Sequence, residues 1–210
     1  QVTAFDMRNH GESPWRETHG YEDMSADLAN LIEEPTDIVG HSMGGKTSML
    51  LALLHPEKVR RLVVADIAPV AYQHSQRPLI EAMRRVDLSV VESRRDADVQ
   101  LMPHVPEAST RAFLLQSLDA NARQWRLNLD VLEAEMDRIM GFPEVSAAPF
   151  TKPVLFLTGA HSDYVRPEHR DRIKSLFPAA RFAKIPEAGH WLHAENPRAF
   201  ESAVRTFLDA

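Results

Sequence analysis

Apolar positions recur along the chain with two different spacings. One set of segments has the three-to-four-residue spacing of amphipathic helices: 22–34, 43–55, 167–176 and 197–208. The other set consists of short apolar runs typical of buried strands: Gln1–Asp6, Thr36–His41, Arg61–Asp66, Pro153–Thr158 and Arg181–Ile185. Because the two kinds of segment alternate, the sequence predicts an α/β protein with a doubly wound, mostly parallel sheet.

The stretch from Tyr72 to Phe142 interrupts this alternation. It contains no convincing strand, and its apolar spacing predicts helices over Pro78–Val86, Glu107–Leu118 and Arg126–Met140. Such a stretch is too long for a plain crossover, and ligands of open α/β sheets bind at the carboxyl edge of the strands. We therefore expect an α/β core formed by residues 1–70 and 151–210, with residues 71–150 inserted as a helical lid.

The composition is that of an ordinary globular protein. Of the 210 residues, 44% are hydrophobic and 26% are charged, which is sufficient for a buried core. The formal net charge of −6 argues against nucleic-acid binding, and no apolar run is long enough to span a membrane. The lack of cysteine excludes a disulfide framework and thiolate metal sites. We expect a cytoplasmic monomer or homodimer that neither binds nucleic acid nor spans a membrane.

A five-residue motif lies between a predicted strand and a predicted helix. Gly40-His41-Ser42-Met43-Gly44 matches G-x-S-x-G, the pattern of a nucleophile elbow. The glycines on both sides of the serine let the strand and the helix approach each other without Cβ clashes. Ser42 is then an exposed nucleophile, and the Met43 N–H at the start of the helix can donate to an oxyanion. The structural alternative is a glycine-rich helix start with Ser42 as its cap.

A serine hydroxyl needs a base before it can act as a nucleophile. Among the ten histidines His190 is the strongest candidate, because it follows the last predicted strand and precedes the last predicted helix. This position fits the chain order Ser…Asp…His of enzymes with a nucleophile elbow. The alternative is a histidine in a surface loop. His193 lies three residues later, but the pair does not form the H-E-x-x-H zinc pattern, so we expect no metal site.

Five segments together resemble a known family. They are Asp6–Ser13 (DMRNHGES), Gly40–Thr47 (GHSMGGKT), Asp66–Val70 (DIAPV), Trp125–Asp130 (WRLNLD) and Gly189–Glu195 (GHWLHAE). They resemble the α/β-hydrolase fold and, more narrowly, the small bacterial carboxylesterases of the YbfF type and their mitochondrial relatives. This resemblance covers the whole chain. It implies hydrolysis of a carboxylic ester through an acyl-enzyme intermediate on Ser42, without a cofactor.

Three aspartates are candidates for the acid that orients His190. In most of the fold the acid lies three residues after a glycine that follows the strand at 153–158, and here that position is Ser162. The subfamily that the chain resembles also has a serine there and takes its acid from the end of an earlier strand, which implies Asp66. Asp163, one residue late, and Asp130 in the lid are the alternatives. We also expect that the Ser162 hydroxyl can bond to the histidine.

The resemblance further implies a second oxyanion donor, from a loop with a His-Gly pair upstream of the strand that starts at Gln1. The 210 residues contain no such segment, so we expect a longer parent protein with further N-terminal strands in its sheet. We expect low activity from the given residues alone, because loss of one oxyanion donor lowers kcat by about 10²–10³.

Together these observations predict a serine esterase that acts on a small acyl-ester substrate. The acyl pocket is expected under the lid, lined by groups such as Met83, Phe113, Leu114 and Trp125, although the same residues can simply pack the lid helices. A Ser-His-Asp triad does not distinguish esters from thioesters or lactones. The alternative from another class is a binding or partner-stabilising protein that keeps the fold with little turnover.

Overall fold

The structure, a computed structural model, describes residues 2–210. Its strands are β1 (Thr36–His41), β2 (Val59–Ala65), β3 (Leu118–Asp119), β4 (Gln124–Trp125), β5 (Val154–Gly159) and β6 (Ala180–Ile185). Its α-helices are α1 (Tyr21–Leu31), α2 (Met43–Leu54), α3 (Arg77–Arg84), α4 (Arg94–Leu101), α5 (Ala108–Leu114), α6 (Leu129–Ala134), α7 (Met136–Met140), α8 (Arg170–Leu176), α9 (Leu192–Glu195) and α10 (Pro197–Leu208). Short 3-10 helices lie at Pro56–Lys58, Leu88–Val90, Leu115–Ser117 and Pro167–His169.

Four of the strands form one sheet in the order β1-β2-β5-β6. All three pairings are parallel: Ile38 lies opposite Leu62, Leu62 opposite Val154, and Val154 opposite Ala180. Parallel neighbours need crossover connections, and helices such as α2 and α8 supply them along the chain. The predicted α/β class with a parallel sheet is therefore confirmed.

Residues 62–65 of the central strand β2 are apolar on both faces because helices cover both sides of the sheet there. Val63 and Ala65 belong to a buried cluster that includes Phe207 of α10. The neighbouring Val64 points to the opposite face, where a Cβ placed on Gly45 of α2 would lie 3.4 Å from its side chain. A strand covered on both faces has no solvent side, which is why its sequence shows no polar alternation.

The chain divides into two compact units. One contains residues 2–20 and 72–140, and the other contains Tyr21–Ala71 and Gly141–Ala210, with the four-stranded sheet. Within the first unit, the Tyr72 N–H donates to the Met140 carbonyl at 3.0 Å, so the two ends of the helical segment are hydrogen-bonded to each other. From the sequence, residues 1–20 were expected to belong to the core instead, and the role of the helical segment as a lid stays a prediction.

Two of the segments that carry the family resemblance, one near the N-terminus and one in the middle of the chain, are hydrogen-bonded to each other within the first unit. The Asn128 N–H donates to the Asn9 carbonyl at 3.0 Å, and the Gly11 N–H donates to the Arg126 carbonyl at 2.8 Å. Gly11 has a φ of +57°, and a Cβ there would lie 2.0 Å from the Asp6 carboxylate. DMRNHGES and WRLNLD therefore contact each other directly, which their separation in sequence did not indicate.

The apolar run at Gln1–Asp6 was predicted to be a strand, and this prediction is wrong for residues 2–6. Gln1 lies outside the described residues. Residues 2–6 have no strand assignment and are exposed, Val2 by 96%. A strand is stable only when a neighbour satisfies its backbone groups. Among the described residues no strand pairs with this segment, so apolar alternation alone is not sufficient.

The middle of the chain contains elements that its apolar spacing did not predict. The helix α4 has only two buried residues, Ala97 and Leu101, and starts at a capping box formed by Ser93 and Asp96. The two-residue strands β3 and β4 pair as an antiparallel hairpin where no strand was expected. Elements this short are stabilised by local hydrogen bonds and leave almost no hydrophobic period in the sequence.

Candidate active site

The turn between β1 and α2 is a nucleophile elbow. β1 ends at His41 and α2 begins at Met43, so Ser42 alone connects them. Its φ of 51° and ψ of −119° are avoided by L-residues, at a cost of roughly 1–3 kcal/mol. The Ser42 N–H donates to the Ala65 carbonyl at 3.0 Å, which ties the turn to the neighbouring strand. The Ser42 side chain makes no capping hydrogen bond, so the alternative of a capping serine is wrong.

The close approach of β1 and α2 depends on two glycines. A Cβ on Gly40 would lie 2.4 Å from the Gly44 carbonyl oxygen, and a Cβ on Gly45 would lie 2.6 Å from the Ile67 side chain. A Cβ on Gly44 would have no heavy atom within 4 Å. The prediction that both motif glycines relieve a Cβ clash is therefore confirmed for Gly40 and wrong for Gly44, whose place is taken by Gly45.

His190, in the loop between β6 and α9, joins the serine to an acid. Its Nε2 lies 3.1 Å from Ser42 Oγ, and its Nδ1 lies 2.8 Å from Asp66 Oδ2. A carboxylate can only accept, so Nδ1 carries the proton of the neutral imidazole and donates a hydrogen bond to Asp66. The lone pair of Nε2 then faces the Ser42 hydroxyl. This is the tautomer that a general base requires.

Backbone contacts hold the loop that carries His190. The Gly189 N–H donates to the Glu195 carboxylate at 2.5 Å, and the His161 N–H donates to the Ala188 carbonyl at 2.9 Å. Gly159 at the end of β5 makes this approach possible, because a Cβ there would lie 2.1 Å from the Gly189 carbonyl oxygen. His190 is thus fixed against the carboxyl end of a central strand.

Asp66 directly follows β2 and is fully buried. Its Oδ1 accepts from the Gly159 N–H at 3.1 Å. Its Oδ2 accepts from the Ser162 hydroxyl and from His190. Three donors replace the water that this carboxylate loses on burial. The expected bond from Ser162 to the histidine is therefore replaced by a bond to the acid.

The two alternative acids have other partners. The Asp163 carboxylate is 80% exposed and lies 3.3 Å from the Arg166 guanidinium. The Asp130 carboxylate is 91% exposed and lies 2.6 Å from the Arg84 guanidinium. Of the three candidate aspartates, Asp66 is the one that the structure brings to His190.

Besides the adjacent Trp191, two aromatic side chains contact His190, and neither has a role that was expected from the sequence. The Tyr164 ring lies on the imidazole with centroids 3.9 Å apart and planes 16° apart. The His41 Nε2 lies 2.8 Å from the His190 carbonyl oxygen, and the two rings are 4.7 Å apart. The only signal in the sequence is positional: His41 immediately precedes Ser42, and Tyr164 follows Ser162 by two residues.

Two ionisable groups near the elbow are shielded from solvent, Lys46 almost completely and His41 in part. Burial, together with the nearby His190 and His193, lowers the pKa of His41 to about 4. His41 is therefore neutral near pH 7 and donates from Nε2 to the His190 carbonyl. Burial also lowers the pKa of Lys46 in α2 to about 7. The Lys46 Nζ donates to the Gly141 carbonyl and lies 5.6 Å from the centre of the Tyr21 ring.

Met43 is the first residue of the twelve-residue helix α2. The N–H groups of a first helical turn have no carbonyl partner within the helix, and the helix dipole favours negative charge beside them. Met43 therefore has the placement expected of an oxyanion donor. The role itself stays a prediction.

Three of the four residues predicted to line an acyl pocket are buried inside the unit of residues 2–20 and 72–140. Met83, Leu114 and Trp125 belong to one apolar cluster, and the Trp125 indole N–H donates to the Met83 carbonyl at 3.0 Å. Phe113 is 44% exposed. Packing of the helices accounts for the first three, and acyl binding stays a prediction.

Within residues 2–210, no group of three or more His, Cys, Asp or Glu side chains is arranged to hold a metal ion. None of the helices described for this part of the chain combines the length and the apolar composition that crossing a bilayer requires.

A parallel sheet with a nucleophile elbow after one strand, an acid after the next strand and a histidine after the last strand defines the class of this protein. The chain belongs to the alpha/beta hydrolase family, whose sequence profile matches residues 1–203. The resemblance drawn from the five sequence segments is thereby confirmed.

Several relatives are similar over nearly the whole chain. The mouse protein named sn-1-specific diacylglycerol lipase ABHD11 is 44% identical over 99% of this chain and 71% of its own length. Esterase YbfF of Escherichia coli is 37% identical over 99% of this chain and 82% of its own length. A solved structure described as a marine microorganism esterase has a TM-score of 0.91 and 37% identity, over 96% of this chain and 82% of that one. These names support the prediction of a carboxylic ester hydrolase.

Proposed function

We propose that this protein hydrolyses carboxylic esters by acyl transfer through Ser42. The observation that carries the proposal is the series of hydrogen bonds from Ser42 Oγ to His190 Nε2, at 3.1 Å, and from His190 Nδ1 to Asp66 Oδ2, at 2.8 Å. A carboxylate buried beside an imidazole, together with a strained serine, contributes little to the free energy of unfolding. Strained backbone and buried polar groups of this kind are concentrated at functional sites.

In the first half-reaction, Ser42 Oγ attacks the ester carbonyl carbon while His190 Nε2 takes the hydroxyl proton. A C–O bond forms and the carbonyl π electrons move to oxygen. When the tetrahedral intermediate collapses, the proton passes from Nε2 to the leaving alkoxide, which departs as an alcohol, and the acyl group stays on Ser42. Asp66 orients the imidazole and stabilises its charged form without taking the proton.

In the second half-reaction, His190 takes a proton from water, and the resulting hydroxide oxygen attacks the acyl carbon. Collapse of this intermediate returns the proton to Ser42 Oγ and releases the carboxylic acid. In both intermediates the negative oxygen is expected to accept from the Met43 N–H at the start of α2. A donor placed where charge develops is among the largest contributions to such reactions, about 10²–10³ in kcat.

The substrate is proposed as a small ester whose acyl group contacts apolar side chains. Phe113 is the one of the four predicted pocket residues with an exposed side chain, and acyl binding by any of the four stays a prediction. The mouse relative's name points to acylglycerols, and the bacterial relative is named only as an esterase. Thioesters and lactones would use the same intermediate on Ser42. A cytoplasmic location and a monomeric or homodimeric state stay predictions.

An active-site probe tests the nucleophile. We expect a fluorophosphonate to label the wild-type protein and the exposed-serine control Ser202→Ala, but not Ser42→Ala, and p-nitrophenyl esters of increasing acyl length to be turned over in the same pattern. Labelling of Ser42→Ala would show that another residue is the nucleophile. A folded wild-type protein with neither labelling nor turnover would favour the alternative of a binding protein.

A further inference from the structure

The face of the His190 imidazole is covered by Tyr164. The two rings are nearly parallel, with centroids 3.9 Å apart and planes 16° apart. Tyr164 is itself tied to the acid loop, because its backbone N–H donates to Ser162 Oγ at 3.3 Å, and Ser162 donates to Asp66. A ring in this position opposes rotation of the imidazole about its Cβ–Cγ bond. Such a rotation would break the bonds to Ser42 and Asp66 together.

The backbone of His190 is held by His41, which lies far earlier in the chain. The His41 Nε2–H donates to the His190 carbonyl oxygen, with the two atoms 2.8 Å apart. His41 ends β1 and is joined directly to Ser42. One rigid strand end therefore carries the nucleophile and also holds the residue that supplies the base. Its ring also contacts Trp191 and His193, at 5.6 Å and 4.6 Å between centroids.

We propose that Tyr164 and His41 are positioning residues for His190: Tyr164 fixes the plane of the imidazole by stacking, and His41 fixes its backbone by donating a hydrogen bond. This inference rests on the proposed function of His190 as the base. Neither residue takes part in bond making. Proton transfer needs Nε2 within hydrogen-bond reach of Ser42 Oγ, so a loosened ring lowers the rate of attack without weakening substrate binding.

The stack also has an electrostatic consequence. During attack on the ester, the imidazole becomes a cation beneath the face of the phenol ring. The negative face of an aromatic ring attracts a cation, and phenylalanine provides such a face as tyrosine does. The property that counts at position 164 is therefore the ring, and the property that counts at position 41 is the N–H donor.

The two roles predict opposite effects for the same replacement. Tyr164→Phe keeps the ring and should stay close to wild type, whereas His41→Phe keeps a ring but loses the donor and should be impaired. Conversely, His41→Gln keeps an N–H donor and should be close to wild type, and Tyr164→Leu should be impaired. We expect the impaired variants to lose roughly 10- to 100-fold in kcat, with KM little changed.

The experiment measures kcat and KM with a p-nitrophenyl ester for all four variants, together with the downfield proton NMR resonance of the His190 Nδ1–H bound to Asp66. We expect this resonance in Tyr164→Phe and His41→Gln, and its broadening or loss in Tyr164→Leu and His41→Phe. Thermal midpoints identify variants that have not folded, and His41→Leu replaces His41→Phe if that variant does not fold.

Equal kcat in Tyr164→Phe and Tyr164→Leu would overturn the role of the stack, and equal kcat in His41→Gln and His41→Phe would overturn the role of the donor. Ser42→Ala is measured alongside them. If Ser42→Ala keeps its turnover, the proposed function itself fails. If Ser42→Ala is inactive and the four variants equal wild type, only the positioning roles fail.

Discussion

A strained backbone and a buried carboxylate coincide at Asp66. Its φ is 51°, in the left-handed region, and its side chain is fully buried among three hydrogen-bond donors. Asparagine is one of the few residues that tolerate this backbone region. A change from aspartate to asparagine therefore removes the charge and adds little backbone strain, which makes position 66 well suited to a chemical test.

We expect Asp66→Asn to lower kcat by roughly 10³–10⁴-fold, because an amide neither fixes the required tautomer of His190 nor stabilises its cation. Asp163→Asn is the matched control and should stay close to wild type, since that carboxylate is exposed and pairs with Arg166. Steady-state turnover of a p-nitrophenyl ester measures both variants. The reverse ranking would assign the acid to Asp163.

Ser42 and His190 were predictable from the sequence because a motif and a chain order mark them. Asp66 was indicated by the resemblance to a subfamily, and its place at the carboxyl end of a predicted strand was consistent with that role. Spacing alone favoured no single aspartate, because the choice depends on where each loop directs its side chain. Asp163 is turned outward and held by Arg166, whereas the left-handed backbone of Asp66 brings its carboxylate to the histidine.

At the scale of elements, the junction of β1 and α2 makes different demands on its glycines. Gly40→Ala would place a Cβ 2.4 Å from a backbone oxygen, which cannot move without shifting α2. Gly44→Ala would place its Cβ in open space and would favour the helix. The motif G-x-S-x-G thus contains one glycine that packing requires and one that it does not.

We expect Gly40→Ala to lower the free energy of unfolding by about 1–3 kcal/mol or more, as overpacking does. Gly44→Ala should leave that free energy unchanged or raise it by up to about 1 kcal/mol. Urea unfolding followed by circular dichroism measures both. Equal destabilisation by the two variants would contradict the packing argument.

The elements that the sequence predicted best are those that the core determines. β1 and α10 have the predicted bounds, Thr36–His41 and Pro197–Leu208, because β1 pairs along its length with β2 and α10 packs Phe207 into the buried cluster beside the sheet. Elements held by local bonds were missed, among them α4 with its Ser93 cap. The run at residues 2–6 shows the converse error, since apolar residues without a pairing partner do not make a strand.

At the scale of the whole molecule, Lys46 links stability to pH. Its pKa is lowered by burial to about 7, so the folded protein gives up this proton more readily than the unfolded chain, in which lysine titrates near its ordinary value of 10.5. Between these two pH values the unfolded state binds more protons. The free energy of unfolding therefore rises with pH across this window, and this gain is lost again as the pH falls towards 7.

We expect the free energy of unfolding of wild type, compared with Lys46→Met, to rise by up to about 1.4 kcal/mol for each pH unit between pH 7.5 and 10. Other titrating groups are common to both proteins and cancel in the comparison. Urea unfolding at several pH values measures the difference. Parallel curves for the two proteins would mean that Lys46 keeps its proton in the folded state.

The hydrogen bond between the Tyr72 N–H and the Met140 carbonyl means that the helical segment between them could be exchanged for another. Where a segment leaves and returns at one point, its length and content can be exchanged without stretching the chain on either side. A graft from another protein in place of this segment would therefore leave the distances between Ser42, Asp66 and His190 unchanged. None of the three residues lies in the exchanged part. Such a graft would also have to bring its own counterpart of residues 6–13, because these bond to the segment that would be removed.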